Sequence, residues 1–400
     1  MSTQHDVVIV GGGLVGASLA IALESAGLQV TMLEATPATA LPAVFDERNL
    51  SFAEATCQAL KALAIWPRLK TAAPIRRIHA SRSGDFGRVL LDAAETGREA
   101  FGHVVIARDF GEALESRLGE VGHLRRLRPA RFIATHLRED GLREVRYADD
   151  TGEHTIATRL LVGADGIDSA VRAALGITAA RHDYGQTLFV CRMRPSRAPD
   201  GTGWERLGPH GPTALLPRAD RHYGVVHGVA NARADAIAAL DEAAWLGHLQ
   251  AAFGWRAGRF LASGPRSRYP ALRVVADRLY APRAVLLGNA AQSIHPVGAQ
   301  GFNLGLRDAL TLVEEITRHG LDQAALLEGY SERRAEDRRR TLAFSDGMAR
   351  ASANDGLAMR VMRSAGMAAL ANVPGLRAEV AAGGMGYRGD VPALCREGAP

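Results

Sequence analysis

DVVIVGGGLVGASLAIALESAGLQVTMLE, residues 6–34, decides the fold. A short run of strand character, DVVIV, leads into Gly11-x-Gly13-x-x-Gly16. A helical stretch follows as far as Gly27, a residue suited to a helix C-cap, and QVTMLE reads as a second strand. A GxGxxG carries meaning only in this strand–turn–helix setting. The first glycine allows the tight turn, the second lets backbone approach a pyrophosphate, and the third lets helix and strand pack closely. Free N–H groups and the positive end of the helix dipole then receive the negative charge. Glu34 closes the second strand 18 residues after Gly16, where a carboxylate accepts hydrogen bonds from a ribose diol. A carboxylate there favours a free 2′-hydroxyl, hence NAD or FAD over NADP, and does not choose between those two.

The rest of the chain narrows the class. Its 400 residues suggest two domains, or one domain with a large insertion. The apolar fraction of 47% and charged fraction of 23% are those of a globular protein. Net charge is +5, yet only Lys61 and Lys70 are lysines and the arginines are dispersed, which speaks for compositional bias and against nucleic acid as a partner. Cys57, Cys191 and Cys395 show no metal-ligand spacing, the histidines form no HExxH, and no metal is expected. The apolar N-terminal run is broken by three glycines and lacks a basic flank, so it reads as neither signal nor anchor. A cytoplasmic location is the expectation, with attachment to the inner face of the cytoplasmic membrane left open.

Further along, residues 45–70 look helical, 74–105 read as short strands, and ARDFGEALESRLGEV reads as a helix. In the region 180–277, TLFVCRMR, TALLPR and HYGVVHGVA read as strands around a helix, DEAAWLGHLQAAFG. APRAVLLGNAA then returns to the buried-strand-then-glycine style of the N-terminus. The expected fold is α/β: a discontinuous Rossmann-like nucleotide-binding domain with a parallel sheet, an inserted sheet-rich substrate domain and a C-terminal helical region. The boundaries are 1–75, 100–178 and 278–345 for the nucleotide domain, 76–99 and 179–277 for the substrate domain, and 346–400 for the helical region. ERRAEDRRR, with mixed signs at helical offsets, reads as a solvated helix face.

Two later segments choose the cofactor. One is VGADGIDSAVR, residues 162–172; the other is GNAAQSIHPVGAQGFNLGLRDAL, residues 288–310. In the second, a buried strand delivers the chain to a turn where Asn289 can face a ligand. Pro296 stiffens the loop, and Gly298 and Gly301 permit backbone approach to a flat ring. Gly301, Phe302 and Asn303 open a helix whose N-terminal N–H groups point back at whatever the loop holds.

Together with the N-terminal fingerprint, these segments resemble, in order, the three motifs of the single-component FAD-dependent aromatic hydroxylases. GNAAQ…HP…QGFNLGLRD resembles in particular the 2-polyprenyl-6-methoxyphenol hydroxylases of ubiquinone biosynthesis. Most of the wider family has Asp where this chain has Asn289, but an amide oxygen can make the same bond to a ribityl hydroxyl. The loop departs from the family's Gly-Gln-Gly core, with Ala299 in the first of those places.

The resemblance implies a Rossmann-like, glutathione-reductase-type FAD-binding domain, with NADPH or NADH as the reductant and no second nucleotide fold. O₂ adds at flavin C4a, and the hydroperoxide transfers its distal oxygen to the ring of a polyprenylated phenol. Pro296, Gly298 and His295 then stand at the reacting end, His295 either tuning a phenol proton or packing. Gly11, Gly13, Gly16, Glu34, Asp165, Asn289, Gly301, Phe302 and Asn303 bind FAD. By the same resemblance Arg48 in FDERNLSF lies near the flavin and Arg108 in IARDFGEAL near the pyrophosphate, while Asp165 holds a helix end and an arginine network. Val190, Leu215, Leu216 and Val226 are candidates to line the substrate pocket. A ubiquinone-biosynthesis complex and a membrane surface are open as partners, and the sparsely charged stretch after residue 345 reads either as a helical cap on the domain interface or as the surface that docks them. The alternative reading is a class A hydroxylase of a small soluble aromatic acid or phenol.

Overall fold

Val7, Val8, Ile9 and Val10 are all buried, so the opening strand, Gln4–Val10, is covered on both faces, as central parallel strands are. It pairs in parallel with Gly152–Gly163 on one side and Val30–Leu33 on the other. Ala284–Leu286 and Leu124–Leu127 extend the parallel sheet outward. These relationships come from a computed structural model describing residues 4–322 and 324–397. The helix Leu14–Ala22 follows the first strand directly, then one 3₁₀ turn, Leu23–Ala26, ends at Gly27 in the left-handed conformation with φ +65°. Helix Gly301–His319 packs against Leu14–Ala22, and Gly305 allows it: a Cβ there would lie 2.7 Å from Val15 Cγ2.

The second sheet is mostly antiparallel and built around the long strand Ala179–Pro195, which pairs with Tyr223–Ala230 and Ser267–Ala276. Thr213–Pro217 and Thr202–Leu207 continue it. Its far edge is supplied from before the insertion, because Thr202–Leu207 pairs in parallel with Arg77–Arg82. The strand Thr202–Leu207 was not among those expected. One face of this sheet packs on helix Glu242–Phe253 through Phe189, Leu215, Val225 and Trp245; the other looks toward the nucleotide-binding sheet.

Two expectations are corrected. Residues 45–70 are not one helix: Asn49–Ala53 is a strand paired with Gly102–Ile106, and the helix is only Glu54–Ala62. The alternation of Leu50 and Phe52, short enough to be overlooked, is satisfied by a partner strand distant in sequence. ERRAEDRRR is a solvated face on one side only. It lies in helix Ala325–Ala353, where Arg334 and Asp337 are buried with Arg307 and Asp308 of the preceding helix. Arg307 Nε donates to Asp337 Oδ2 at 2.7 Å, and Arg334 Nε to Asp308 Oδ1 at 2.7 Å. Burial opposes the charge on Asp337, but the two arginines outweigh it and hold the carboxyl down to about 2. Charge pattern alone cannot separate a wet face from a buried ion cluster, because both place opposite signs at helical spacing. Helices Leu357–Asn372 and Pro374–Gly384 sit against strand Val89–Asp92, with Leu91, Ala381 and Met385 in one apolar cluster.

Candidate active site

The parallel strands Gln4–Val10 and Gly152–Gly163 end side by side, which brings the first glycine of the fingerprint against the start of VGADG. A Cβ on Gly11 would stand 2.4 Å from the Ala164 carbonyl oxygen, and its φ of +105° is itself glycine territory. Gly16 is closed in as tightly, with a Cβ placed 2.0 Å from the Gly11 carbonyl oxygen. Gly13 differs. It caps helix Leu14–Ala22 with no side-chain hydrogen bond, and the nearest atom to a built Cβ is Val44 Cγ1 at 3.8 Å. Its free side opens on a cavity of about 790 Å³, a size that suits an enclosed small-molecule ligand.

One end of this cavity is the nucleotide sheet. Gly11, Gly13, Glu34 and Asp165 line it. Glu34 is buried and accepts from the backbone N–H of Gly12 at 2.7 Å and of Thr36 at 2.7 Å, so its carboxylate is fixed in place with lone pairs to spare. Asp165 accepts from Val171 N at 3.0 Å and from the Ser169 hydroxyl, tying down the start of helix Ala170–Ala174. The neighbouring arginine, Arg172, bonds the carbonyls of Ala290 and Ile167 and not Asp165, so the arginine contact runs from the DG segment to the GNAAQ turn.

The middle belongs to residues 288–303. Asn289 is exposed on a 3₁₀ turn and lines the cavity with Pro296, Gly298, Gly301 and Phe302. Helix Gly301–His319 begins without a side-chain cap, and nothing lies within 4 Å of a Cβ on Gly301. Phe302 also packs on Phe52 and Phe110, at centroid distances of 5.3 and 5.2 Å. Gly298 and Ala299 both have positive φ, +76° and +51°, so the loop holds a left-handed bend on an alanine.

Asn303 and His295 stand behind this wall. The Asn303 amide accepts from Ala53 N and Thr56 Oγ1 and donates to the carbonyls of Ser51 and Ala299, which pins the loop to strand Asn49–Ala53. His295 is 1% exposed; its Nδ1 accepts from Val297 N at 3.2 Å, leaving Nε2 to face Gln186 Oε1 at 3.3 Å. Burial, opposed by Asp346, pushes its pKa down to about 4, so it is neutral at neutral pH and holds the loop from within.

Arg48 reaches the cavity, clasped by Asp46 through Nε and Nη2 at 2.8 Å each and lying over the Tyr269 ring at 4.4 Å. Burial works against the Asp46 charge, but Arg48 and the Tyr269 hydroxyl together hold that carboxyl below its usual range. Arg108 stands apart: it does not line the cavity, is more than half exposed, and pairs with Glu47 at 3.2 Å. Of the apolar candidates, Leu216 and Val226 line the cavity, whereas Leu215 points into the opposite core and Val190 is not on the wall. Period-two alternation along Thr213–Pro217 separates Leu215 from Leu216. Missed altogether were Arg131 and Phe132 at the Glu34 end, and Trp204, Glu205 and Ala214 at the other. They sit on strands whose short, mixed sequences carry no motif.

The described architecture is that of known flavoproteins. A family model described as an FAD binding domain matches residues 4–345, most of the chain. The chain belongs to the FAD-binding domain family. It is 33% identical to a protein named ubiquinone hydroxylase UbiL of Rhodospirillum rubrum, across 91% of this chain and 86% of that one. It is also 31% identical to the 3-demethoxyubiquinol 3-hydroxylase of Escherichia coli, across 77% of this chain and 78% of that one. In fold it is similar to the p-nitrophenol 4-monooxygenase PnpA of Pseudomonas putida, with a TM-score of 0.80 at 17% identity, covering 97% and 99% of the two chains. With these relatives, the protein is an FAD-dependent monooxygenase.

Proposed function

We propose that this monooxygenase hydroxylates the ring of a polyprenylated phenol in ubiquinone biosynthesis, using NADPH or NADH and O₂. The observation that carries the reading is one cavity with two unlike ends and two helix starts between them. Two uncapped helix starts, at Gly13 and Gly301, open on it; Glu34 closes one extremity; and the apolar sheet face of Ala214, Leu216 and Val226 closes the other. Orphan N–H groups and the positive ends of two helix dipoles suit a ligand negative at two separated places, as a dinucleotide with a reduced ring is. Gly11 and Gly13 receive the pyrophosphate, Glu34 the ribose, and Asn289 a hydroxyl of the linking chain. Gly298, Gly301 and Phe302 border the ring, with Asp165 holding the turn beside them.

FAD, once bound, supplies electron transfer and the activation of O₂. The chain orients the ring through the Pro296–Gly301 loop, braces that loop by Asn303 and His295, and keeps water away with the apolar sheet face. Arg48, fixed by Asp46 and Tyr269, lends positive charge to the same wall. Support for a lipid-tailed phenol comes from the names of the ubiquinone hydroxylases and from the apolar sheet face. Among the described residues no helix is long and apolar enough to cross a membrane. Leu357, Val361 and Met362 are exposed on one helix, which supports contact with a membrane surface or a biosynthetic complex.

The test is mass spectrometry of lipid extracts from aerobically grown cells lacking the gene. Loss of ubiquinone with accumulation of a polyprenyl-methoxyphenol, reversed by the wild-type gene, is expected. Unchanged quinones in a strain with no other ring hydroxylase would overturn the pathway and favour the small soluble aromatic.

A further inference from the structure

The substrate half of the cavity contains one carboxyl, that of Glu205, for which the described residues offer no partner. Glu205 lies in strand Thr202–Leu207, directly opposite Ala80 on one neighbouring strand and Ala214 on the other. Ala214 in turn faces Val226. Glu205, Ala214 and Val226 therefore form a row across the sheet on the side that lines the cavity, while Leu215 and Val225 point into the opposite core. The Glu205 Oε1 atom is sealed from solvent and has no hydrogen-bond partner among the described residues, while the residue as a whole is part-exposed. A carboxyl in an apolar row, without a partner, is costly for a fold to keep.

Among the described residues no charged group pairs with it. Its strand neighbours are alanines, and the adjacent Arg206 and Trp204 belong to alternate positions of the strand. On the strand beside it, Arg77 is paired with Asp200, and Arg82 with Asp85 and Asp355. On the cavity wall the charged side chains are Glu34, Arg48, Arg131, Asp165 and Asp168, of which Arg48 is held by Asp46. Burial alone lifts the Glu205 pKa to about 7.

We propose that Glu205 is the acceptor for the phenolic hydroxyl of the substrate. This rests on the ring-hydroxylation reading and adds to it a residue with a defined proton task. The ionised carboxylate accepts a hydrogen bond from the neutral phenol. As the ring is attacked, the phenol O–H bond breaks and its proton passes to a Glu205 oxygen, the electron pair staying on the phenol oxygen and enriching the ring carbons. After oxygen transfer the attacked ring carbon gives up its hydrogen as a proton, the other atom of O₂ leaves as water, and the proton held by Glu205 returns to the phenol oxygen, so the carboxylate is regenerated. The oxidant remains O₂, with the nicotinamide as reductant.

The experiment uses the FAD-loaded enzyme with two probes, 2-geranyl-6-methoxyphenol and its methyl ether, which has no hydroxyl proton to donate. The wild type is expected to prefer the phenol, with the preference growing about tenfold between pH 6 and 8 as Glu205 ionises, since a hydrogen bond to a charged acceptor is worth at least that much. Glu205→Gln should bind FAD and melt like the wild type, show a preference that is flat with pH, and lose turnover and raise KM for the phenol while leaving KM for the methyl ether unchanged. Glu205→Asp should restore the pH-dependent rise. A Glu205→Gln enzyme with the wild-type preference, pH profile and turnover overturns the assignment of Glu205 while leaving the ring-hydroxylation reading standing. A wild type that neither binds nor turns over either probe overturns both.

Discussion

Gly13 and Gly16 belong to the same fingerprint, but the structure gives them opposite jobs, and alanine at each position separates them. At Gly16 a Cβ would lie 2.0 Å from the Gly11 carbonyl oxygen, more than 1 Å inside contact distance. Helix and strand must move apart, and overpacking of that kind costs about 3 kcal/mol. With an unfolding entropy of about 2 cal/mol/K per residue, a chain of this length loses roughly 4 °C in melting midpoint. At Gly13 the nearest protein atom is 3.8 Å away and φ is −73°, so alanine costs the fold almost nothing. Its methyl instead occupies the space through which a pyrophosphate reaches the helix N–H groups. Losing one charge-assisted hydrogen bond, about 2 kcal/mol, weakens FAD about 30-fold. The assay is paired: thermal melting of the apoprotein, and flavin fluorescence during FAD titration. Gly16→Ala should melt early; Gly13→Ala should melt normally and bind FAD poorly. If Gly13→Ala melts as early as Gly16→Ala, or binds FAD like the wild type, the division of labour is wrong.

Three further outcomes follow from particular contacts. Asp337→Ala leaves Arg307 without its carboxylate and Arg334 with only Asp308, in a site 2% exposed or less; a stability loss of about 3–5 kcal/mol in denaturant melts is expected. His295 has a folded pKa depressed to about 4 against an ordinary 6.5, so the unfolded chain takes up its proton first. Its contribution is intact above pH 6.5 and lost as pH falls toward 4, by about 3 kcal/mol, and His295→Gln should flatten that part of the stability–pH curve. Ala299→Gly relieves a left-handed alanine at φ +51°; the strain of about 1–2 kcal/mol outweighs the added freedom of the unfolded glycine, and the melting midpoint should rise by about 1 °C.

Legibility in the sequence tracks how local each signal is. Strand, turn, helix and Glu34 form one continuous stretch, so the nucleotide-binding start is readable from spacing alone. Asn289, Pro296, Gly298 and Gly301 are readable for the same reason, since their loop is also a single segment. Arg108 is not: short context placed it beside a pyrophosphate, and a surface pairing with Glu47 accounts for its position. Glu205 has no local signature. Its meaning arises from the residues opposite it on two other strands, Ala80 and Ala214, 125 positions earlier and 9 positions later. The ion cluster fails in the same way, because whether Arg334 is wet or buried depends on the helix that covers it.

That cluster also explains why the GFNLGLRD segment needs its last two residues. Asn303 ties the start of the helix to strand Asn49–Ala53, and one turn later Arg307 and Asp308 lock it to the following helix. Asp308 also accepts from Gln292 at 2.6 Å, and Gln292 accepts from Arg338 at 2.9 Å. Gln292 opens a two-residue strand three residues after Asn289, directly following its 3₁₀ turn. The Asn289 end of the loop and the Gly301 helix start are therefore referenced to one buried set of charges. A loop whose two ends share a rigid anchor can hold a left-handed alanine between them. Backbone strain of that kind survives only where surrounding contacts over-determine the conformation, and here the contacts come from Asn303 on one side and from Asp308 through Gln292 on the other. The motif's charged pair is structural, and its effect on chemistry passes through the position of Asn289 and Gly301.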